Sequence, residues 1–406
     1  MIYAGKRILL GVTGGIAAYK AAELTRRFIC AGAQVKVVMT AAAREFVTPL
    51  TFEALSGEKV ATAMFGPNAA PLEHVSLGQE ADAIVIAPAT ANLLGKLAAG
   101  IGDDLLTTIL LAATRPALLC PAMNVEMWRN PVVQENLERL RDRGLKVLDP
   151  ATGELACGAV GLGRLPEPEV IVEAAASLVS RKDLLGQRVL VTAGPTHEDC
   201  DPVRFLTNRS SGKMGYALAR VAWRRGAEVW LVSGPSALSA PYGVERVWVR
   251  SAREMLAAVQ ERFSAADALL MAAAVGDYRP VKCELKKIKR GREEVQMQLA
   301  QNPDILRELN QIRKRQVMVG FAAETHDQEA EARRKLEEKH LDFIVANDVT
   351  RKDAGFAVDT NQVTILSRER EPERLPLLTK EEVAELILDR VAELLMGRGR
   401  EGRGGA

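Results

Sequence analysis

The sequence predicts two doubly wound α/β domains in tandem, each built on a mostly parallel sheet, and three observations carry this. Short apolar runs alternate with helical stretches along nearly the whole chain, the pattern of parallel strands covered by helices on both faces. The pattern restarts near Gln187, where "QRVLVTAGPT" opens a second series with a strand that ends in glycine. The length, 406 residues, suits two domains with a hydrophobic core each.

The elements follow in order. "KRILLGVTGGIAAYKAAELTRRFICAGAQVKVVMT" reads as a strand, a glycine turn, a helix and a second strand, and "ADAIVIAP", "PALLCPA" and "LKVLD" supply further strands. "SLVSRKDLLGQR" is a helix end followed by a linker, which divides the chain into residues 1–184 and 185–396. The second series continues with a helix after Ser211 and the strand "EVWLVSG", then "DALLMAAAV", "QVMVGFAAE" and "DFIVAND". "GRGREGRGGA", residues 397–406, has the composition of a disordered tail. In Rossmann-like sheets of this kind ligands sit beyond the carboxyl ends of the strands, so the loops there carry the function.

Composition excludes several classes. Hydrophobic residues make up 48% and charged residues 26%, as in a soluble globular protein. A formal net charge of +2 gives no electrostatic case for nucleic acid as partner. No apolar run reaches membrane-spanning length, and the N-terminal stretch lacks the apolar region and cleavage site of a signal peptide. The five cysteines (Cys30, Cys120, Cys157, Cys200 and Cys283) are odd in number and show no CxxC spacing, which points to reduced thiols and a cytoplasmic location.

"GVTGGIAAYK", residues 11–20, is a glycine-rich strand-to-helix turn, with Gly14, Gly15 and Ile16 placed where a phosphate meets helix N–H groups. The same pattern also serves as a plain tight turn. The acid that a dinucleotide ribose needs after the second strand is replaced by Thr40 in "VVMTAAA". A hydroxyl there suits a monophosphate such as that of FMN and counts against an NAD(P)-dependent oxidoreductase.

Longer runs narrow the reading. "APATANLLGKLAAGIGDDLLT", "PAMNVEMW" and "ACGAVGLGR" resemble the HFCD family of flavin-dependent cysteine decarboxylases, whose signature PxMNxxMW is matched by Pro121, Met123, Asn124, Met127 and Trp128. The resemblance implies an FMN site formed by Gly14, Gly15, Ile16 and Thr40, with Pro88, Ala89, Thr90, Asn92 and Met123. It also implies three catalytic groups. His74 would be the base or orient the carboxylate, Asn124 would hold the substrate carboxylate, and Cys157, on a glycine-rich flap, would be the proton donor. Without the resemblance, a lone histidine reads as structural and a cysteine as an inert buried thiol. The chemistry needs an electron sink, because a carboxylate on an ordinary carbon cannot leave as carbon dioxide. The flavin creates that sink by oxidation, and the protein supplies orientation and proton transfer.

In the second half, Ser210-Ser211-Gly212-Lys213 looks like the end of a P-loop, but Thr207 stands where the first glycine must be. "VTAGPTHEDCDPVRFLTNRSSGKMG" resembles instead the start of the phosphopantothenate–cysteine ligase family. The two resemblances cover nearly the whole chain, in the same domain order. The second implies a CTP triphosphate site in which Gly194, Ser210, Gly212 and Gly215 let backbone N–H groups and a hydroxyl approach phosphate. It places Ala272, Ala273 and Ala274 at the nucleotide, and Asp277 at the nucleotide or its Mg²⁺, with Gly276 where the family usually has alanine. It further implies Pro303, Asp304, Ile305 and Leu306 of "NPDIL", Phe321 for packing, and Lys335 with Lys339, four apart and so on one helix face. Lys287, in a flap "CELKKIKRGRE", would stabilise phosphate charge, and Asn208 would bind the reacting carbonyl.

The implied activity belongs to coenzyme A biosynthesis. CTP-dependent ligation of phosphopantothenate with cysteine through an acyl cytidylate is followed by FMN-dependent decarboxylation to phosphopantetheine. The implied assembly is a homo-oligomer, with decarboxylase trimers and ligase pairs combining into a dodecamer. A non-catalytic flavoprotein that regulates a partner is the other reading, and the joint presence of Cys157, Asn208 and Lys287 speaks against it.

Overall fold

In the computed structural model the described residues are 1–65, 72–154, 158, 160–289, 295–324, 328–348 and 358–401. The chain divides into two compact units, Met1–Ser180 and Arg181–Ala406.

The first unit runs β1 (Arg7–Val12), α1 (Lys20–Cys30), β2 (Gln34–Met39), α2 (Pro49–Ser56), α3 (Glu73–Glu80), β3 (Ala83–Ala89), α4 (Ala91–Ala99) and α5 (Leu105–Ala112). It continues with β4 (Ala117–Pro121), α6 (Val125–Arg129), α7 (Pro131–Asp142), β5 (Lys146–Val147), the hairpin β6 (Ala151–Glu154) and β7 (Val160–Arg164), and α8 (Pro168–Val179). The sheet order is β2-β1-β3-β4-β5, parallel throughout. Every residue of the central β3 is buried, as expected of a strand covered on both faces. Leu24 and Phe28 of α1 pack with Ala174 and Ala175 of α8 on one face. Leu94, Leu106, Ile109 and Leu137 form the core on the other. Helix starts are set locally: Asp104 accepts from the Thr107 N–H (2.8 Å) ahead of α5, and Asn130 accepts from the Val132 N–H (3.0 Å) before Pro131 opens α7.

The second unit runs β8 (Arg188–Ala193), β9 (His197–Asp199), β10 (Phe205–Thr207), α9 (Lys213–Arg224), β11 (Glu228–Ser233), β12 (Glu245–Trp248), α10 (Ala252–Phe263), β13 (Ala268–Met271), β14 (Tyr278–Pro280) and β15 (Leu299–Gln301). Then come α11 (Ile305–Asn310), β16 (Val317–Glu324), α12 (Gln328–Glu338), β17 (Phe343–Asp348), β18 (Thr360–Asn361), β19 (Val363–Ser367), β20 (Glu373–Arg374), β21 (Leu378–Thr379) and α13 (Lys380–Glu401). The main sheet is β12-β11-β8-β13-β16-β17-β19-β20, parallel from β12 to β17 and antiparallel beyond. Leu218 and Val221 of α9 meet Ile387 and Leu388 of α13 on one face. Met255, Leu309 and Leu336, from α10, α11 and α12, line the other. Arg225, just after α9, is fully buried, and its guanidinium donates to both carboxylate oxygens of Asp183 (2.9 and 2.5 Å) and to Asp389 (2.8 Å).

The predicted parallel architecture stands in both units. The sequence reading did not anticipate the antiparallel extension β19-β20 or the ribbons β9-β10 and β14-β15, whose strands are too short to show a period. Helix α13 runs on past Met396 to Glu401, so the first part of the stretch expected to be a disordered tail is helical. No described helix is long and apolar enough to cross a membrane.

Candidate active sites

In the first unit a cavity of about 1140 Å³ opens at the carboxyl ends of the parallel strands. Gly14, Gly15 and Ile16 line it from the turn after β1, and Thr40 from the end of β2. Pro88, Thr90 and Asn92 come from the β3–α4 junction, and Met123 and Asn124 from the loop after β4. Ala89 does not reach it; the residue is wholly buried in β3.

The local reasons are specific. A Cβ on Gly14 would stand 2.4 Å from the Ala42 Cβ, so only glycine lets the first loop press against the second. Thr13, almost fully buried, donates to the Pro88 carbonyl (2.7 Å) and accepts from the Thr90 N–H (3.1 Å), tying the ends of β1 and β3 together. The Thr40 hydroxyl accepts from the Ala43 N–H (3.3 Å). Asn124 caps α6, its oxygen accepting from the Glu126 N–H (2.8 Å). Gly163 approaches from β7: its carbonyl accepts from the Met123 N–H (3.0 Å), and at φ +145 a Cβ there would strike the Met123 oxygen at 2.2 Å. Three cations face the cavity, Lys20 and Arg164 beside Glu167 and Lys96 beside Asp103, whose hydrogen bond raises the Lys96 ammonium above its usual range.

His74 is half-buried in the first turn of α3 and does not line the cavity. Cys157 lies outside the described residues; of its glycine-rich stretch, Gly158 and Val160–Arg164 in β7 are described. Cys120, in β4, is an inert structural thiol whose burial pushes its pKa up.

In the second unit a cavity of about 830 Å³ occupies the equivalent end of the sheet. Asn208, Ser210, Gly212 and Gly215 line it from the loop into α9, and Ala272, Ala273, Ala274 and Asp277 from the segment after β13. Pro303, Asp304, Ile305 and Leu306 meet it at the start of α11, Phe321 on β16, and Lys335 and Lys339 at the end of α12. Asn208 Nδ2 donates to the Val275 carbonyl (2.9 Å), which joins the two loops. Asn302 reinforces the second loop, its amide nitrogen donating to the Gly276 carbonyl (2.8 Å) and its backbone N–H to the Asp277 carbonyl (2.8 Å). Gly276 tolerates the family's alanine, because the nearest atom to an added Cβ is Thr196 Oγ1 at an ordinary 3.5 Å. Asp304 caps α11 through the Arg307 N–H (3.3 Å) and pairs with Lys339 (3.0 Å).

Three glycines serve different ends. Gly212, the residue before α9, has φ +79, where a side chain is strained. Gly215 packs α9 on β8: a Cβ would stand 2.5 Å from the Ala193 Cβ. Gly194 does not line the cavity. Its φ is +74, its carbonyl accepts from the Ala274 N–H (2.9 Å), and a Cβ would stand 3.0 Å from the Gly234 carbonyl oxygen. Lys287 is not at the cavity either. It is exposed and lines a separate groove with Cys200 and Ile288.

Among the cavity residues that went unread in the sequence are Asn347, Asn361 and Lys380, and the ion pair of Lys213 with Asp359 was not anticipated. Lys380 opens α13 and is buried, and its ammonium donates to the Val358 (2.6 Å) and Thr360 (3.0 Å) carbonyls. Burial, then the nearby Lys213, lowers its pKa to about 8. No local spacing marks Asn347, Asn361 or Lys380.

Residues 3–180 match the Flavoprotein family, and residues 184–395 match the DNA/pantothenate metabolism flavoprotein C-terminal domain. A coenzyme A biosynthesis bifunctional protein from Vibrio parahaemolyticus is 48% identical over 97% of this chain and 99% of its own. One from Bacillus subtilis is 48% identical over 96% and 97%. The solved C-terminal domain of a protein of the same name is 44% identical, covers 53% of this chain and 99% of that chain, and superposes with a TM-score of 0.46. Two family matches in tandem and full-length identity at this level lead to one conclusion: the chain belongs to the family of coenzyme A biosynthesis bifunctional proteins.

Proposed function

We propose that the second unit joins phosphopantothenate to cysteine at the expense of CTP, and that the first, with FMN, decarboxylates the product to phosphopantetheine. One observation carries the reading: each unit has its own cavity at the carboxyl ends of its parallel strands, lined by most of the residues that its resemblance singles out.

In the ligase cavity a carboxylate oxygen of phosphopantothenate bonds to the α-phosphorus of CTP, and pyrophosphate leaves with the electron pair of the broken P–O bond. The amine nitrogen of cysteine then bonds to the acyl carbon, CMP leaves with the electron pair of the C–O bond, and the amine proton passes to solvent. Asn208, between the two loops, donates to the reacting carbonyl. Lys335 and Lys339 offset charge developing on the phosphates. Among the described residues no group of three or more His, Cys, Asp or Glu side chains is gathered, so Asp277 would hold Mg²⁺ jointly with the phosphates, as that ion commonly binds.

The first cavity fits FMN in size, and in the close Gly14–Ala42 contact that opens a backbone cradle at Gly15 and Ile16. When bound, FMN supplies the electron sink that decarboxylation requires. Asn124 orients the substrate carboxylate, and Cys157 delivers the proton to the carbon that loses it. His74 and Lys287 lie outside the cavities of their own chain, which supports a homo-oligomer in which neighbours complete the sites. Exposed Phe205, Leu206, Tyr278 and Leu299 offer the ligase unit an apolar pairing face.

The test is one incubation with phosphopantothenate, cysteine, CTP and Mg²⁺, following pyrophosphate, carbon dioxide and phosphopantetheine. Pyrophosphate and carbon dioxide in equal amounts are expected, and pyrophosphate release without CTP dependence overturns the reading.

A further inference from the structure

We propose that the Asn347–Asn361 corner of the second cavity binds the amino-acid co-substrate, the two side-chain carbonyl oxygens receiving its ammonium group while its carboxylate faces Lys380. The inference rests on the ligase reading and assigns a place to its second substrate.

Asn361 is only 3% exposed, yet its Oδ1 has no hydrogen-bond partner among the described residues, and the buried Oδ1 of Asn347 is in the same condition. Both side chains line the cavity. A buried acceptor without a donor forfeits its hydration and gains nothing in return, so two at one cavity wall mark a place where a ligand brings N–H groups. Chain topology puts them together. Asn347 pairs with Val363 across the antiparallel β17–β19 ladder, and Asn361 lies two residues before Val363.

The surroundings select the ligand. Uncharged carbonyl oxygens repel phosphate, which accepts hydrogen bonds and cannot donate them. They suit an ammonium group, and Lys380 at the same cavity supplies the opposite charge for a carboxylate. Its ammonium donates to the Val358 and Thr360 carbonyls; burial still disfavours the charged form, and an arriving carboxylate would favour it. Met214, whose sulfur lies 3.8 Å from Asn361 Nδ2, gives a thiol side chain a soft apolar neighbour. An ammonium, a carboxylate and a thiol together are cysteine.

The two steps of the ligase separate this proposal from its alternatives. In the full chain, pyrophosphate release from CTP and phosphopantothenate without cysteine reports the first step, and the complete reaction at varied cysteine reports the second. Asn361→Leu and Asn347→Leu, of similar size but without an acceptor, should each raise the KM for cysteine at least ten-fold. Both should leave the KM for CTP and the first step within two-fold of the unmodified protein. Lys380→Met should give the same selective rise. If Asn361→Leu does not fold, Asn361→Ser, which keeps a smaller acceptor, should raise the cysteine KM by less than Asn347→Leu does. A changed preference for CTP over UTP with an unchanged cysteine KM would show that the carbonyls read the base amine instead, and would overturn the proposal. An unchanged cysteine KM in all variants overturns it too. An unmodified protein that releases no pyrophosphate from CTP overturns the ligase reading itself, a distinct result.

Discussion

Lys213 Nζ stands 2.6 Å from Asp359 Oδ1, so the lysine that follows the glycine of the second-unit loop is already paired with a carboxylate. Its hydrogen bond and charge hold the Asp359 carboxyl below the usual range. A P-loop lysine is needed for phosphate, and this one is already engaged by a carboxylate. Lys213→Ala should therefore weaken CTP binding less than Gly212→Val does. At Gly212 the positive φ forbids a branched side chain without strain, and the loop backbone must move. The expected loss for Gly212→Val is about 1.5–3 kcal/mol, the worth of one charge-assisted hydrogen bond, or roughly ten- to a hundred-fold in affinity. Titration of CTP into both variants decides the order, and a reversed order would make the loop a P-loop variant.

Gly215 tests packing. A side chain there must push α9 off β8, so Gly215→Val should lower stability by about 1–3 kcal/mol, the usual cost of overpacking. Denaturant unfolding followed by tryptophan fluorescence measures it. Normal stability with lost CTP binding would show that the glycine serves the ligand alone.

Arg225 tests a buried charge. Removing it takes from Asp183 and Asp389 their buried shared donor and leaves them the half-exposed Arg181. Burial alone would raise the Asp183 carboxyl, and the Arg225 hydrogen bonds outweigh it and hold it low. Arg225→Ala should cost about 3–5 kcal/mol, whereas Arg225→Met, which refills the volume, should cost less. Equal losses in the two variants would mean that the lost charge accounts for the whole cost, and a negligible loss in Arg225→Met would mean that packing is at stake instead.

Lys380 gives a pH signature. Its folded-state pKa of about 8 is below the ordinary 10.5, so the unfolded chain keeps the proton to higher pH. Stability attributable to this group is therefore lowest below pH 8 and rises as pH climbs from 8 toward 10.5. Burial accounts for most of the effect, with Lys213 adding to it and Asp359 opposing it. In Lys380→Met the rise should flatten, as read from unfolding midpoints between pH 7.5 and about 10.

The activities should separate by unit. Asn208→Asp should stop ligation and leave decarboxylation of added phosphopantothenoylcysteine intact, and Cys157→Ser should do the reverse. If His74 and Lys287 act on neighbouring copies, co-assembly of Lys287→Ala with Asn208→Asp chains should restore ligase activity that neither has alone. No restoration would place Lys287 in its own chain's reaction.

The sequence by itself determined most of the parallel strands, because each is a short, mostly apolar run between helical stretches; β12, Glu245–Trp248, with its alternating charges, was not legible. The sequence likewise determined the loops that carry Gly14 to Ile16, Asn208 to Gly212, Ala272 to Asp277 and Pro303 to Leu306. Those loops are continuous in the chain, so their motifs survive without a fold around them. Tertiary structure decided what depends on approach between distant segments. It set Gly194 in a turn held against Gly234, outside the cavity lining, and gave Gly215 a packing reason that spacing cannot express. It left His74 and Lys287 outside the cavities of their own chain, although their neighbours in sequence gave no sign of it. It also gathered Asn347, Asn361 and Lys380 at one wall, because β17 pairs antiparallel with β19 and α13 begins beside them. Single polar residues in unremarkable stretches carry no local signal; only burial, which strips them of water, gives them a chemical role.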